Sequence, residues 1–239
     1  MINYLLYLES GPKRRKTMVH VLDLLGCIAN GPTTEAALQA TPQAIRAYLR
    51  FLKRHGEDVG QKAEAEFTTT IAVHITEGQW LGNGNPTQGF APDFLPLSVT
   101  DQAVYISRLE WLHEDLLFLA RPLSSQQLNA QPKEGRPLRR IFEHVAGAEY
   151  GYLQSPLSKP AGLSAACRAV EEGPDLPAAL VRVWDLVVNR LQSMSDAERS
   201  ESVPHGQTIW AARRAMRRLL EHNWEHLVEI SDRLGVEVK

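Results

Sequence analysis

The sequence has 239 residues, of which 44% are hydrophobic and 23% charged, and its formal net charge at pH 7 is −2. This hydrophobic content can offset the entropy lost on folding, which excludes disorder as the main state. No apolar run approaches the ~20 residues of a membrane-spanning helix, so no membrane association is expected. The near balance of basic and acidic side chains argues against a protein that mainly binds nucleic acid.

The compartment is predicted from the first residues and from the cysteines. The apolar stretch from Met1 to Leu8 has no preceding basic region and no cleavage site, so it is not interpreted as a signal peptide. Cys27 and Cys167 match no metal or redox spacing, and we expect both to be small buried side chains. These features favour a reducing, cytoplasmic location.

Residues 1–77 have the pattern of an α+β domain. Strands are predicted at residues 4–8, 17–22, 26–29 and 67–75. A basic turn at residues 11–16 separates the first two strands and is expected to be solvated. A helix is predicted to begin at Thr33 and Thr34 and to end near His55, with a break near Thr41 because Pro42 lacks a backbone N–H.

This order of elements resembles the HicB-like antitoxin domain. The residues that carry the resemblance are Gly26, Cys27, Gly31, Thr34, Glu35 and Ala36. The resemblance implies a protein partner, since HicB antitoxins usually pair with a small ribonuclease toxin. The DNA-binding helix-turn-helix or ribbon that many of these antitoxins carry is not found in the sequence, so nucleic-acid binding is not expected.

Residues 78–100 form a linker rich in glycine and proline, one of which is Pro86. The segment also contains Trp80, Phe90, Phe94 and Leu95. A mobile linker would not expose so much apolar surface, so we expect this one to pack along one or both neighbouring units.

Residues 101–239 are predicted to form an all-α four-helix bundle. Helices are predicted at residues 101–120, from Pro137 to Tyr152, at 177–194 and at 208–234. The switch from alternating to helical periodicity across the linker predicts two folding units.

Three histidines occupy related positions on two of these helices. His222 and His226 are four residues apart and project from one side of the last helix. His226 lies within its apolar stripe and His222 on its flank, and His144 has the same angular offset on the second helix. Three neutral imidazoles with open positions can hold a catalytic divalent metal, and such a site suits zinc, nickel, iron or copper.

Two segments in this region resemble the DinB/YfiT-like superfamily. They run from Leu138 to Glu149 and from Leu220 to Leu227. The resemblance implies a four-helix bundle whose metal is held by one histidine of the second helix and an H-x-x-x-H pair of the last. These positions correspond to His144, His222 and His226. Many members have Glu after the first histidine of the pair, where this sequence has Asn223.

Two further histidines have weaker functional interpretations. His113 lies on the apolar stripe of the first bundle helix, so it is a weak catalytic candidate or an extra ligand. The favoured alternative is a hydrogen-bonded core histidine. His205 lies between Pro204 and Gly206 and is expected to be a surface side chain.

The polar face of the last helix is expected to be solvated. It carries Arg213, Arg214, Arg217, Arg218, Glu221 and Glu225. The alternative is that the arginines bind the carboxylates of a thiol cofactor. A homodimer is also expected, because Trp80, Phe90, Phe94 and Trp224 have no evident place in a monomer core, and Trp224 falls off the apolar stripe.

These patterns leave several functions open. The DinB resemblance implies a metal-dependent enzyme such as an S-transferase that uses bacillithiol, mycothiol or glutathione and acts on an electrophile. In such an enzyme the ion lowers the pKa of the thiol. The alternatives are a metal-dependent hydrolase, a HicB-like protein-binding or regulatory module, and a binding protein whose metal is structural.

Overall fold

The computed structural model describes residues 1–85, 87, 89–154 and 157–237, so Pro86 of the predicted linker and the last two residues of the predicted bundle lie outside the described residues. The strands are β1 (Ile2–Ser10), β2 (Arg15–Val21), β3 (Ile28–Thr33), β4 (Phe67–Ile75), β5 (Ser202–His205) and β6 (Thr208–Ala211). The helices are α1 (Thr34–Arg54), α2 (Val99–Ala120), α3 (Ser125–Asn129), α4 (Leu138–Gln154), α5 (Leu163–Glu172), α6 (Leu176–Gln192), α7 (Asp196–Ser200) and α8 (Ala212–Leu234).

The N-terminal part is a four-stranded sheet in the order β3-β2-β1-β4. β2 runs antiparallel to both β1 and β3, whereas β4 returns parallel to β1 after α1. α1 packs on β2 and β3. The α+β arrangement of three strands, a helix and a fourth strand is therefore confirmed.

The predicted break in the first helix is wrong, because α1 continues through Pro42 without interruption. The Thr33 hydroxyl caps the helix by accepting a hydrogen bond from the Ala36 N–H at 3.1 Å. Ala37 and Ile45, on either side of Pro42, are both fully buried. Packing on the sheet thus holds the helix together where one backbone hydrogen bond is missing.

The C-terminal part is a helical bundle in which α2, α8, α4 and α6 form a closed ring of neighbours. The prediction missed α5, whose apolar stripe of Leu163, Ala166 and Val170 is short. It also placed Thr208 in the last helix, whereas β6 pairs there with β5. In the described part of the chain, no helix has the length and apolarity needed to cross a membrane.

The segment between the sheet and the bundle packs against both, as expected. Leu81, Phe90 and Leu97 are buried, although Trp80 is 65% exposed. The Phe90 ring lies 5.4 Å from the Tyr7 ring. The apolar core is continuous from the sheet through the bundle. The division into two independently folding units stays a prediction.

The expectation of a solvated polar face on α8 is wrong, since Arg214, Arg217, Arg218 and Glu221 are buried. The Arg217 guanidinium donates to both carboxylate oxygens of Asp93, at 2.6 and 2.9 Å. It also donates to Glu221 at 2.8 Å. The sheet and the linker segment cover this face and supply the carboxylates that a buried guanidinium requires.

His20 of β2 joins this buried network. Its Nδ1 lies 2.8 Å from Glu221, and its Nε2 lies 3.4 Å from Glu9. Burial would lower the pKa of His20, but the charge of Glu221 and the hydrogen bonds to Glu221 and Glu9 together outweigh burial and raise the pKa above its usual value. Burial would raise the pKa of Glu221, yet Arg217 and His20 lower it to about 2. The network therefore favours a protonated imidazole beside an ionised carboxylate.

Trp224 is buried within the chain and is not available for an interface. This side chain is 3% exposed and packs against Tyr48 and Phe51, with ring centroids 5.0 and 5.2 Å away. α8 is therefore apolar on two sides, one facing the bundle and one facing α1. Phe90 is likewise buried within the chain. The homodimer stays a prediction, supported now by Trp80 rather than by these two residues.

Candidate metal centre

Three histidines from two neighbouring helices come together on one side of the bundle. The ligand nitrogens of His144, His222 and His226 all lie within 4.8 Å of one another. The Nε2 atoms of His144 and His222 are 3.0 Å apart. The ring centroid of His226 lies 4.5 Å from that of His222 and 5.0 Å from that of His144.

The packing of α4 against α8 produces this arrangement. His222 and His226 are one turn apart on α8, so both side chains meet the same neighbouring helix. They are 5% and 6% exposed, whereas His144 on α4 is exposed to solvent. The centre thus has a buried wall made by α8 and an open side from which a small molecule can approach.

A carboxylate supports one of the three imidazoles. Glu229, three residues after His226, places Oε2 at 2.7 Å from His226 Nδ1. The Arg233 guanidinium donates to the other oxygen of Glu229 at 2.7 Å. The hydrogen bond between Glu229 and Nδ1 of His226 orients the imidazole ring and leaves its Nε2 as the nitrogen available to a ligand. The sequence interpretation missed Glu229, which its spacing of three from His226 could have indicated.

The electrostatics keep two of the imidazoles neutral. Burial, together with the positive charges of Arg136 and His226, lowers the pKa of His144 to about 4. Burial and neighbouring charges, with His226 first, also hold the pKa of His222 well below its usual value. Neutral imidazole is the form that binds a metal, so both rings are ready to bind one near pH 7.

The donor set fits a divalent transition metal. The two Nε2 atoms, 3.0 Å apart, share a hydrogen bond when one of the rings is protonated there, and an ion held by both nitrogens would replace that bond. Imidazole nitrogens suit Zn²⁺, Ni²⁺ and Fe²⁺. These residues can therefore hold one ion, with positions left open on the side of His144.

Aromatic side chains line the wall beside His222. The Tyr152 ring lies 5.8 Å from the His222 ring and 6.0 Å from the Trp210 ring. The Arg218 guanidinium donates to the Tyr152 hydroxyl at 2.9 Å. Tyr152 therefore contacts both the His222 ring and Arg218, one of the buried arginines of α8.

His113 lies outside the three-histidine centre. It is buried, its Nε2 lies 2.8 Å from Glu149, and its ring stacks on Trp184 at 4.6 Å. Asn223 donates to the same Glu149 oxygen at 2.8 Å. These contacts match the favoured interpretation of a hydrogen-bonded core histidine. The role of Asn223 is thus to link α8 to α4.

His205 and the two cysteines take no part in the centre. His205 is exposed on β5, as expected. Both cysteines are free, and Cys27 is buried as predicted, whereas Cys167 is half-buried. Burial raises the pKa of the Cys167 thiol to about 11, so this thiol is not an activated nucleophile.

Comparison with known proteins agrees with the bundle. The family model of the DinB superfamily matches residues 108–230. A solved structure of YfiT from Bacillus subtilis, described as a probable metal-dependent hydrolase with an unusual four-helix bundle topology, is similar at 17% identity and a TM-score of 0.43. That likeness covers 59% of this chain and 91% of YfiT, and it carries no argument about function. No curated protein matches the chain significantly. Because the family model spans more than half of its residues, the chain belongs to the DinB superfamily.

Proposed function

We propose that this protein is a metal-dependent enzyme whose divalent ion is held by His144, His222 and His226. The observation that carries the proposal is the convergence of three imidazole nitrogens within 4.8 Å at an accessible edge of the bundle. A structural metal site is usually closed by four protein ligands, whereas a catalytic site keeps positions open. Three ligands and an exposed His144 favour the catalytic alternative.

Within this class we propose an S-transferase that uses a low-molecular-weight thiol. A hydrolase usually needs a carboxylate base to take the proton of the attacking water. Here Glu229 is bonded to His226 and Arg233, and Glu149 is bonded to His113 and Asn223. A thiol, whose ordinary pKa is about 8.5, ionises far more easily than water and depends less on such a base.

The residues around a bound ion would have separate roles in this reaction. A bound divalent ion would supply the positive charge that lowers the pKa of the thiol and holds its sulfur toward the electrophile. Glu229 keeps the ring of His226 in a fixed orientation. Tyr152 and Trp210 shield the His222 side of the centre from water.

Metal analysis of purified variants tests the site. Wild type should bind one divalent ion per chain, and His226→Ala should lose most of it while the bundle stays folded by its apolar core. His113→Ala and the exposed His205→Ala are matched controls that should retain the ion. Full occupancy in a variant that lacks His144, His222 and His226 would refute the assignment.

A reaction test separates the two enzyme classes. The metal-loaded protein should accelerate conjugation of a thiol to an electrophile such as 1-chloro-2,4-dinitrobenzene, and His226→Ala should abolish the acceleration. Hydrolysis of an activated ester or amide without any thiol requirement would instead favour the hydrolase.

For the N-terminal part we propose a HicB-like module that binds a protein partner. The observation in its favour is β4, an uncharged edge strand on which Ile71 and Val73 are 49% and 38% exposed. An exposed, uncharged edge strand can pair with a strand of another protein. The purified chain should form a stable complex with a small toxin encoded beside it, and Ile71→Lys should weaken that complex.

A further inference from the structure

A groove of about 390 Å³ lies between α2 and α6, on the side of the bundle opposite the three-histidine centre. α2 contributes Glu110, His113 and Glu114 to its lining, at the spacing of one helix face. α6 contributes Trp184 and Asp185. The three metal-centre histidines, on α4 and α8, do not line this groove. The groove is therefore a separate place, and its volume falls in the range of small-molecule sites.

The buried His113 presents one ring nitrogen to this groove. Its Nε2 lies 2.8 Å from Glu149, and Asn223 donates to the same carboxylate oxygen at 2.8 Å. An ionised carboxylate only accepts hydrogen bonds, so the proton of a neutral ring lies on Nε2 and Nδ1 is an acceptor. His113 is only 5% exposed, yet Nδ1 keeps contact with solvent and forms no hydrogen bond with any residue that the structure describes. Because His113 lines the groove, this unpaired acceptor is directed into it.

The floor around His113 is apolar. The Trp184 ring stacks on the His113 ring, with centroids 4.6 Å apart and planes inclined by 7°, so the imidazole is held from the α6 side as well. Leu117 and Val181 also line the groove. Phe118 is a further lining residue, and it is 69% exposed. These side chains can cover the apolar body of a small ligand.

The charged side chains of the groove are mainly acidic. Glu110, Glu114 and Asp185 are exposed, and Arg121 is the one cation in the described lining. Glu110 and Asp185 form no ion pair or hydrogen bond within the described ranges, and the ion pair of Glu114 is a contact of 4.0 Å with His55. Three carboxylates against one guanidinium leave the groove negative, which attracts a cation.

We propose that this groove binds a protonated primary amine that carries an apolar body. The ammonium group donates an N–H to Nδ1 of His113, and Glu110 and Asp185 balance its charge. The apolar body lies against Trp184 and Leu117. An anion would face the acidic rim, and a neutral apolar molecule would leave the buried acceptor without a partner, which is costly. The site does not depend on the metal chemistry proposed above.

Calorimetric titration of the purified, metal-free full chain tests the ligand class. The three probes share a phenyl body and differ in the polar group: 2-phenylethylamine, 2-phenylethanol and 3-phenylpropanoate. The amine should bind at least about tenfold more tightly than the alcohol and the carboxylate, since hydrogen bonds that involve a charge contribute most. Equal affinity for the amine and the alcohol, tighter binding of the carboxylate, or no binding of the amine at millimolar concentration would overturn the proposal.

Exposed charges provide a matched pair of variants that keep the core intact. The double variant Glu110→Gln, Asp185→Asn should weaken amine binding about threefold or more at low salt, because it removes two rim charges. The double variant Glu171→Gln, Glu172→Gln removes the same charge from the exposed surface of α5 and should bind the amine as wild type does. Equal weakening in both would mean that overall charge attracts the amine, and the groove would be the wrong place.

His113→Phe tests the acceptor. Phenylalanine retains a ring that can stack on Trp184 but has no nitrogen, so the tenfold preference for the amine over the alcohol should disappear. A folded variant that retains the preference would overturn the role of His113; if circular dichroism shows that it does not fold, the rim variants decide the proposal. His226→Ala should bind the amine as wild type does. Loss of amine binding in His226→Ala would place the amine at the three-histidine centre and refute the groove.

Discussion

Replacement of Arg217 by methionine should destabilise the protein more than any other single change on the arginine-rich face of α8. The side chain is fully buried and donates two bonds to Asp93 and one to Glu221. Methionine has a similar length and leaves little empty space. What remains is the buried Asp93 carboxylate, whose other bond is to the Phe90 N–H at 2.9 Å.

The expected loss follows from that unpaired charge. Removal of one partner of a buried ion pair costs about 3–5 kcal/mol. At an m-value of about 3 kcal/mol per molar urea, this corresponds to a midpoint lower by about 1–2 M. The control is Arg213→Met on the same helix, where the ion pair with Asp101 is partly exposed and contributes at most about 1 kcal/mol.

Urea unfolding followed by circular dichroism measures both variants and the double variant Asp93→Asn, Arg217→Met. The double variant should be more stable than the sum of the two single losses predicts, because Asn leaves no unpaired charge. If Arg217→Met and Arg213→Met unfold at the same midpoint, the arginine is not buried among carboxylates and the packing of the sheet on α8 is wrong.

Four further predictions concern the fold and assembly. Gly26→Ala should lower the free energy of unfolding by about 2–4 kcal/mol, because φ is +107° and a Cβ would lie 2.1 Å from the Tyr48 hydroxyl. The control is Gly56→Ala, which should lower it by only about 1 kcal/mol, because φ is +88° but a Cβ there would meet open space. Because the pKa of His20 is raised in the folded state, its protonation stabilises the fold fully below pH 6.5, and this contribution is lost as pH rises through the folded pKa. The urea midpoint should therefore decrease above pH 6.5, and it should decrease less in His20→Gln. The lowered pKa of Glu221 acts at the acidic end: its contribution is present above pH 4.5 and is lost as pH falls toward about 2. Light scattering at tens of micromolar protein should give a dimer mass, and a monomer mass would contradict the homodimer.

The cluster of three histidines could be predicted from the sequence because its members lie on regular helices. The spacing of His222 and His226 places both on one side of α8 whatever the rest of the chain does. His144 has the same angular offset from the apolar stripe of α4. It therefore lies beside the other two histidines once the apolar stripes of α4 and α8 pack against each other. Glu229 was missed, since a carboxylate on a helix surface does not reveal which imidazole it will orient.

The errors have a common physical cause, which is burial from a second direction. A helical wheel assumes one apolar side and one solvated side, yet α8 is covered by α2 and α4 on one side and by the sheet and the linker segment on the other. Arg217 therefore looks like a surface residue in sequence and is buried in the fold. Trp224 was misplaced for the same reason.

Short elements and local conflicts were also decided by long-range contacts. β5 and β6 have four residues each, too few for a periodic signal, and they form because they pair with each other. Pro42 predicts a break from local chemistry, but packing of α1 on the sheet outweighs one missing hydrogen bond.

The sequence by itself determined the α+β and helical parts, the long helices and the side from which the three histidines project, since each depends on periodicity within one element. Only the tertiary structure decided that the polar face of α8 is buried and that Glu229, itself bonded to Arg233, supports the ring of His226. Contacts between elements distant in sequence produce these features, and periodicity contains no information about which second surface will cover a helix.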